Sequence, residues 1–331
     1  MKAVLMTAAG SPEVLQPQDV DEPQIELPTQ IKVDLKAAGV NPLDTKLRSR
    51  GVFYPDALPA ILGCDGAGVV AETGSAVKRF RAGDEVWFCH GGLGDEQGNY
   101  AQYNVLDESV VCRKPASLDF INAAAGPLVL ITAWEALFDR ARIQAGQTVL
   151  VHGGAGGVGH VAIQLAKKAG ARVFTTVSTP EKLEFVRFLG ADEAILYHET
   201  DFVDAVKDWT AGRGVDVVLD TQGGETFRRS IDAVAHYGDL VTLLDPGTGV
   251  VWKEARNRNL RINFVLMLTP MMRDLPEARA HQVEILEQCG KWIDSGLLKI
   301  HVGRIFPLER AAAAHTQLEE GDVLGKIVLT M

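Results

Sequence analysis

The sequence lacks any apolar run that could cross a bilayer; nowhere do 18 hydrophobic residues stand together. Its N-terminus, MKAVLMTAAGSPEV, is too short in its apolar part for a signal peptide and reads as a first strand. Cysteine is scarce: Cys64, Cys89, Cys112 and Cys289 are widely spaced and none forms C-x-x-C. Such a set suits reduced thiols in a cytoplasmic protein better than a disulfide framework. Positive charge is also short, with 33 Lys+Arg against 43 Asp+Glu and a formal net charge of −10. That balance argues against nucleic acid or an anionic membrane as partner, while leaving room for a local basic pocket around a phosphate. Repeats, low-complexity tracts and long linkers are missing too.

What is present is an ordinary globular composition, 47% hydrophobic and 23% charged over 331 residues, comfortable for two domains. Residues 1–125 read as mostly β, with alternation at 31–38 (IKVDLKAA) and short strands at 68–72, 86–89 and 100–106. Residues 123–140 read as one helix. From Gln147 strands alternate with helices. The predicted strands are 148–152, 172–177, 193–197, 215–220, 239–244 and 262–268; the helices are 158–169, 180–189, 202–210 and 225–234. This pattern predicts an α/β fold with a doubly wound parallel sheet. After about residue 272 the alternation stops. A long helix at 277–295, a strand at 303–306, a helix at 308–319 and a strand at 326–330 then return to the β-rich part. The expected domains are 126–272 for the parallel sheet, and 1–125 with 273–331 for the β-rich unit.

The most telling stretch is VLVHGGAGGVGHVAIQLAKK at 149–168, an apolar strand running through a glycine turn into an amphipathic helix. Gly154, Gly156 and Gly159 fit G-x-G-x-x-G: one for the tight turn, one for close approach of a pyrophosphate, one for helix–strand packing. The helix N-terminus then offers N–H groups to phosphates, at Gly156, Gly157 and Val158. No carboxylate ends the second strand (RVFTTVS), where NAD sites carry one for the ribose 2′-hydroxyl. The hydroxyls of Thr176 and Ser178 and the Lys182 ammonium are candidates for a 2′-phosphate, which points to NADPH rather than NADH. Equally, Ser178 or Thr179 could simply cap the next helix ahead of Pro180.

Several motifs keep order and spacing over almost the whole chain: Ala38-Gly-Val-Asn-Pro-Leu-Asp44, Ile61-Leu-Gly-Cys-Asp-Gly-Ala-Gly-Val-Val70, Gly83-Asp-Glu-Val86, Leu130-Ile-Thr-Ala-Trp134, His152-Gly-Gly-Ala-Gly-Gly-Val-Gly159, Asp216-Val-Val-Leu-Asp-Thr-Gln-Gly-Gly224 and Gly325-Lys-Ile-Val328. Together they resemble the medium-chain dehydrogenase/reductase superfamily, and within it the zinc-independent, quinone-oxidoreductase-like (zeta-crystallin-like) branch. The resemblance implies a Rossmann domain and a discontinuous GroES-like catalytic domain, with NAD(P)H between them. It also implies cofactor contacts at Tyr197, Thr221, Leu243, Leu266 and Leu268, and Thr132 near the nicotinamide. Zinc-dependent members hold zinc with Cys, His and Cys; the positions that resemble these carry Asn41, Cys64 and Leu128, so no zinc is expected.

Without a metal, hydride transfer to a quinone or to the β-carbon of an α,β-unsaturated carbonyl needs donors for the developing oxyanion. The candidates are Asn41, through its amide, and Lys46, where the motif resembles enone and alkenal reductases; Lys46 also reads as a solvated surface lysine. Asp44 is either catalytic or structural, pairing with a neighbouring backbone or with Arg48. Tyr54 and Trp87 are candidate flat walls of the pocket, or plain core, and Cys64 a packed thiol beside it. Two other readings are a low-turnover nucleotide-binding, crystallin-like protein and a carbonyl/alcohol oxidoreductase acting on saturated ketones. Relatives that bind RNA exist, but no basic stripe supports RNA here. The apolar run NFVLML at 263–268, as an exposed edge, predicts a homodimer.

Overall fold

The computed structural model describes residues 1–331, with the side chain of Pro55 outside that description. The chain divides into two compact units, Val129–Leu268 and Met1–Leu128 with Thr269–Met331.

The first of these is built on six strands that pair in parallel throughout. Their spatial order is Glu193–Leu196, Arg172–Val177, Thr148–Val151, Val215–Asp220, Val234–Thr242 and Arg261–Phe264. Thr148–Val151 lies in the middle, with the next strand in sequence on one side and the fourth on the other. That reversal of winding is the topological switch point, where ligands meet the carboxyl ends of strands. Val149–Val151 and Val217–Leu219 are fully buried, as strands covered by helices on both faces must be. Helices Gly157–Lys168, Pro180–Phe188, Phe202–Trp209 and Gly224–Ala233 make the crossovers. Phe174, Val206, Phe227 and Leu240 pack in one of the cores.

Three expectations fail locally. The sixth strand stops at Phe264; after a last bond from Val265 N to Thr242 O (3.0 Å), residues 265–268 leave the ladder. The fifth strand starts early, at Val234, because a shift between Val215 and Val217 and a positive φ at Tyr237 absorb extra chain. The single helix expected at 123–140 is three pieces, Phe120–Ala124, Pro127–Trp134 and a π-helical turn Glu135–Arg140. Pro127 cannot continue a preceding helix but starts a new one well.

The second unit holds a seven-stranded sheet. Its order is Val302–Pro307, Lys326–Thr330, Gln30–Val40, Asp65–Thr73, Glu85–Cys89 and Cys112–Arg113, with Tyr103–Asp107 on the first half of Gln30–Val40. The last strand of the chain therefore lies inside this sheet, with Val328 opposite Gly39. Leu15–Asp19, Lys2–Met6 and Ala60–Ile61 form a smaller sheet. Gly39 is glycine for a steric reason: a Cβ there would stand 2.4 Å from the Ala124 carbonyl oxygen and 2.9 Å from Asp65 Cβ. Among the described residues no helix is long and apolar enough to cross a membrane.

Candidate active site

In the parallel-sheet unit, Thr148–Val151 delivers the chain into the glycine turn, and the helix that follows starts at Gly157. Its N-cap, Gly156, is extended and offers no side-chain cap, so the first-turn N–H groups face outward unfilled. A Cβ on Gly154 would lie 2.1 Å from Thr175 Oγ1, and one on Gly159 2.2 Å from the Gly153 carbonyl oxygen. Those two glycines let strand and helix close up. A Cβ on Gly156 would meet only the Gly153 carbonyl oxygen, at 3.3 Å, so the turn is open in front, and Gly157 and Val158 are partly exposed beside it. This cradle fits a dinucleotide pyrophosphate.

Behind the turn stands His152, between Thr176 Oγ1 (3.2 Å) and Ser230 Oγ (2.9 Å). Burial pushes its pKa down to about 3, so it is a neutral strut at pH 7. The Thr176 hydroxyl also accepts from Gly153 N, at 3.2 Å. Thr176, expected to face a 2′-phosphate, is instead buried and braces the turn. Thr221 likewise donates its hydroxyl to the His152 carbonyl, at 2.8 Å. Lys182 Nζ lies 3.1 Å from Ser178 Oγ, and Thr179, not Ser178, caps the helix by accepting from Lys182 N. Tyr197 N bonds Val177 O at 3.1 Å, which sets this exposed tyrosine at the neighbouring strand end. Leu243 N bonds Asp220 O at the fifth strand's end. Thr132 and Leu268 are buried, whereas Leu266 is exposed beyond the shortened sixth strand.

In the other unit the residues expected to react lie in a buried polar cluster. Asn41 caps helix Pro42–Arg50 and is completely buried. Its Nδ2 donates to Asp65 Oδ2 at 2.9 Å, and its Oδ1 accepts from Lys326 Nζ. The amide expected to meet substrate is thus spent inside the protein. Asp44 Oδ2 accepts from Asn41 N (2.8 Å) and from the Tyr100 hydroxyl (3.1 Å). Arg48 is not its partner, being paired with Glu319 at 2.6 Å. Asp44 Oδ1 is buried with no hydrogen-bond partner among the described residues. Burial is the main reason that its pKa rises to about 7. The Tyr100 hydroxyl also touches His315 Nε2 at 3.1 Å, and burial holds His315 down at about 3.

Cys64 is fully buried and donates its thiol to Gly91 O at 3.1 Å; the neighbouring Cys89 thiol and burial push its pKa well up, so it is an inert packed thiol. Trp87 is fully buried too, on a strand whose residues Val86–Cys89 are all buried, and packs as core. Tyr54 is exposed, with its phenol beside Asp95. Lys46 is half-buried rather than solvated, and burial, then Arg50, lowers its pKa.

One group escaped the sequence reading. His90 Nδ1 lies 2.8 Å from an Arg279 guanidinium nitrogen, and its Nε2 2.8 Å from Glu96 Oε2. Arg279 is 189 residues from His90, and no local motif announces the pair.

The family described as "Alcohol dehydrogenase GroES-like domain" matches residues 27–116, and that described as "Zinc-binding dehydrogenase" matches residues 189–329. A quinone oxidoreductase of Pseudomonas aeruginosa is 34% identical, covering 99% of both chains. Among solved structures, an alcohol dehydrogenase superfamily protein from Novosphingobium aromaticivorans superposes with a TM-score of 0.91 at 37% identity, over 100% of this chain and 99% of that one. Escherichia coli quinone oxidoreductase complexed with NADPH gives 0.90 at 31%, over 100% of both. A mixed α/β fold with a GroES-like unit and a Rossmann sheet, on these likenesses, defines an oxidoreductase of the medium-chain dehydrogenase/reductase superfamily. The chain belongs to the quinone-oxidoreductase-like, zeta-crystallin-like branch of that superfamily.

Asp44 makes stability depend on pH. Its folded pKa of about 7 lies above the unfolded value, so between about pH 4 and pH 7 only the unfolded chain has released this proton. Stability from this group therefore falls as pH rises through that window and is level above it. Asp44→Asn keeps the acceptor oxygen and removes the loss. Urea unfolding should show the variant gaining on the parent by roughly 4 kcal/mol between pH 4 and pH 7.5. Parallel pH–stability curves would contradict the raised pKa.

Proposed function

We propose that this protein is a zinc-independent, NADPH-dependent reductase transferring hydride to a quinone or an α,β-unsaturated carbonyl. The observation that carries the reading is the pairing of an open glycine turn with a metal-ligand position whose donors are already spent. The "Zinc-binding" description of the matched family raises zinc as a candidate. The donor set does not fit it: Asn41 is engaged by Asp65 and Lys326, Leu128 offers no side-chain donor, and Cys64 is a buried thiol held well above its usual pKa. NADPH fits better. The first-turn N–H groups of Gly156, Gly157 and Val158 would hold the pyrophosphate, and Ser178, Lys182 and Tyr197 the 2′-phosphate. When bound, the reduced nicotinamide supplies the hydride. In this reading the Val129–Leu268 unit carries the nucleotide.

Hydride addition to a conjugated carbonyl leaves negative charge on its oxygen, and a buried cation or dipole there lowers the barrier. Lys46, half-buried and cationic, suits that role, and water suits that of proton source. Protein stripped with EDTA should therefore oxidise NADPH in the presence of a quinone or a linear enone, and not with a saturated ketone. Activity that appears only on adding zinc would overturn the metal-free reading. Lys182→Ala should weaken NADPH binding by about tenfold or more, one lost charge-assisted contact, with NADH little changed. Equal weakening of both, measured by fluorescence titration, would remove Lys182 from the 2′-phosphate site.

The edge strand Arg261–Phe264, with Phe264 and Leu266 exposed, supports a homodimer joined along that edge. Light scattering should give the mass of two chains, and a Phe264→Lys variant the mass of one. A monomeric parent would count against it.

A further inference from the structure

We infer that His152 is the positioning residue of the glycine turn: it holds the Gly153 peptide through a one-way chain of hydrogen bonds that ends on helix Gly224–Ala233, and so sets how tightly the turn binds a pyrophosphate. The inference rests on the nucleotide reading above and lies wholly within the Val129–Leu268 unit.

The direction of the chain follows from its far end. A carbonyl can only accept, so Ser230 commits its one hydroxyl proton to Thr226 O, at 2.7 Å. Toward His152 Nε2, 2.9 Å away, the same oxygen can then only accept, which puts an imidazole proton on Nε2. Burial, and after it the Arg229 charge, keep the ring neutral, so this is its single proton. Nδ1 is therefore the bare nitrogen and accepts from Thr176 Oγ1, at 3.2 Å. With its own proton given to the ring, the Thr176 oxygen receives the Gly153 N–H, at 3.2 Å. The other tautomer would set a bare Nε2 against an oxygen whose proton is already committed, lone pair to lone pair. His152, Thr176 and Ser230 are all buried, so water does not compete for these bonds.

A histidine suits this place because its rigid ring carries one acceptor and one donor at a fixed separation. The ring itself is held. Phe202 stands edge-on to it, with centroids 4.7 Å apart. His152 N donates to Leu219 O at 3.1 Å, and the Thr221 hydroxyl donates to His152 O at 2.8 Å.

The Gly153 peptide is the pivot of the turn. Gly153 has a φ of 64°, and its carbonyl accepts from the N–H of Gly156, the N-cap of the next helix, at 2.9 Å. The same carbonyl oxygen lies 2.2 Å from where a Cβ on Gly159 would stand. A tilt of this peptide therefore moves the start of the helix, and with it the N–H groups offered to a pyrophosphate. The pyrophosphate is common to NADPH and NADH, so the contribution of His152 is separable from that of Lys182, which concerns the 2′-phosphate alone.

Binding measurements on the full chain test this. His152→Leu should weaken NADPH and NADH by the same factor, about tenfold, the upper end for one lost hydrogen bond. Adenosine 2′-monophosphate, which has the 2′-phosphate and no pyrophosphate, should bind parent and variant alike. His152→Asn, whose Oδ1 can accept from Thr176 near the place of Nδ1, should recover most of the loss; His152→Gln, whose amide reaches toward Ser230 instead, should not. Thr176→Val should cost as much as His152→Leu, and the double variant no more than either, because both cut one chain. Histidine ¹⁵N spectra should show His152 as the neutral Nε2–H tautomer between about pH 5.5 and pH 8.5; an Nδ1–H tautomer overturns the assignment. Loss of adenosine 2′-monophosphate binding, unequal loss of the two nicotinamide nucleotides, or additive single variants would also overturn it. If the parent binds NADPH and His152→Leu stays within twofold, this inference fails and the reductase reading stands. If the parent binds neither nucleotide, both fail. Should His152→Leu misfold, the Asn and Gln variants and the tautomer decide.

Discussion

The carboxylate of Asp65 has to be satisfied without water, and much of the GroES-like unit is arranged to do so. It accepts from Asn41 Nδ2 at 2.9 Å and from Leu128 N at 2.7 Å, and faces Lys326 Nζ at 3.6 Å. Lys326 in turn donates to the carbonyl of Val40 and to Asn41 Oδ1. These residues come from the start of helix Pro42–Arg50, the strand Asp65–Thr73, the segment leading into Pro127–Trp134, and the last strand of the chain. Removing one partner of such a buried pair typically costs about 3–5 kcal/mol, because the other charge is stranded; the intact pair contributes far less. Its effect is mainly positional, holding a strand from the C-terminus in register beside Gln30–Val40.

That constraint reaches into the chemistry. Asn41, expected from the family resemblance to stand at a zinc-ligand position, has both ends of its amide serving Asp65 and Lys326. Asp44, one helical turn on, is bound to the Asn41 N–H and to Tyr100 and sits at a pKa of about 7, far from an ordinary carboxylate.

Much of this was legible in the sequence because it is local. The strands Arg172–Val177, Val215–Asp220 and Lys326–Thr330 fall where apolar, β-branched runs between turn residues place them. The glycine turn is legible for the same reason: its strand, turn and helix are contiguous. What was not legible depends on partners distant in the chain. Nothing near Asn41 or Trp87 says that each is buried, since burial is decided by Lys326 and by the sheet around Glu85–Cys89. Thr176 looked outward by its place at a strand end, until His152 claimed its hydroxyl. The apolar run at 263–268 resembles one long strand, but only Arg261–Phe264 finds a ladder partner in Val234–Thr242. His90 and Arg279 are ordinary residues singly and become a pair only through the return of the C-terminal segment.

The proposed reaction is hydride delivery to carbon without a metal. The most direct test is product analysis by mass spectrometry and NMR, using metal-free protein, NADPH deuterated at nicotinamide C4 and a linear enone. The expected product is a saturated ketone with the cofactor's deuterium on the β-carbon and a solvent hydrogen on the α-carbon. Deuterium on the carbonyl carbon, giving an unsaturated alcohol, or a saturated product without cofactor deuterium would contradict it.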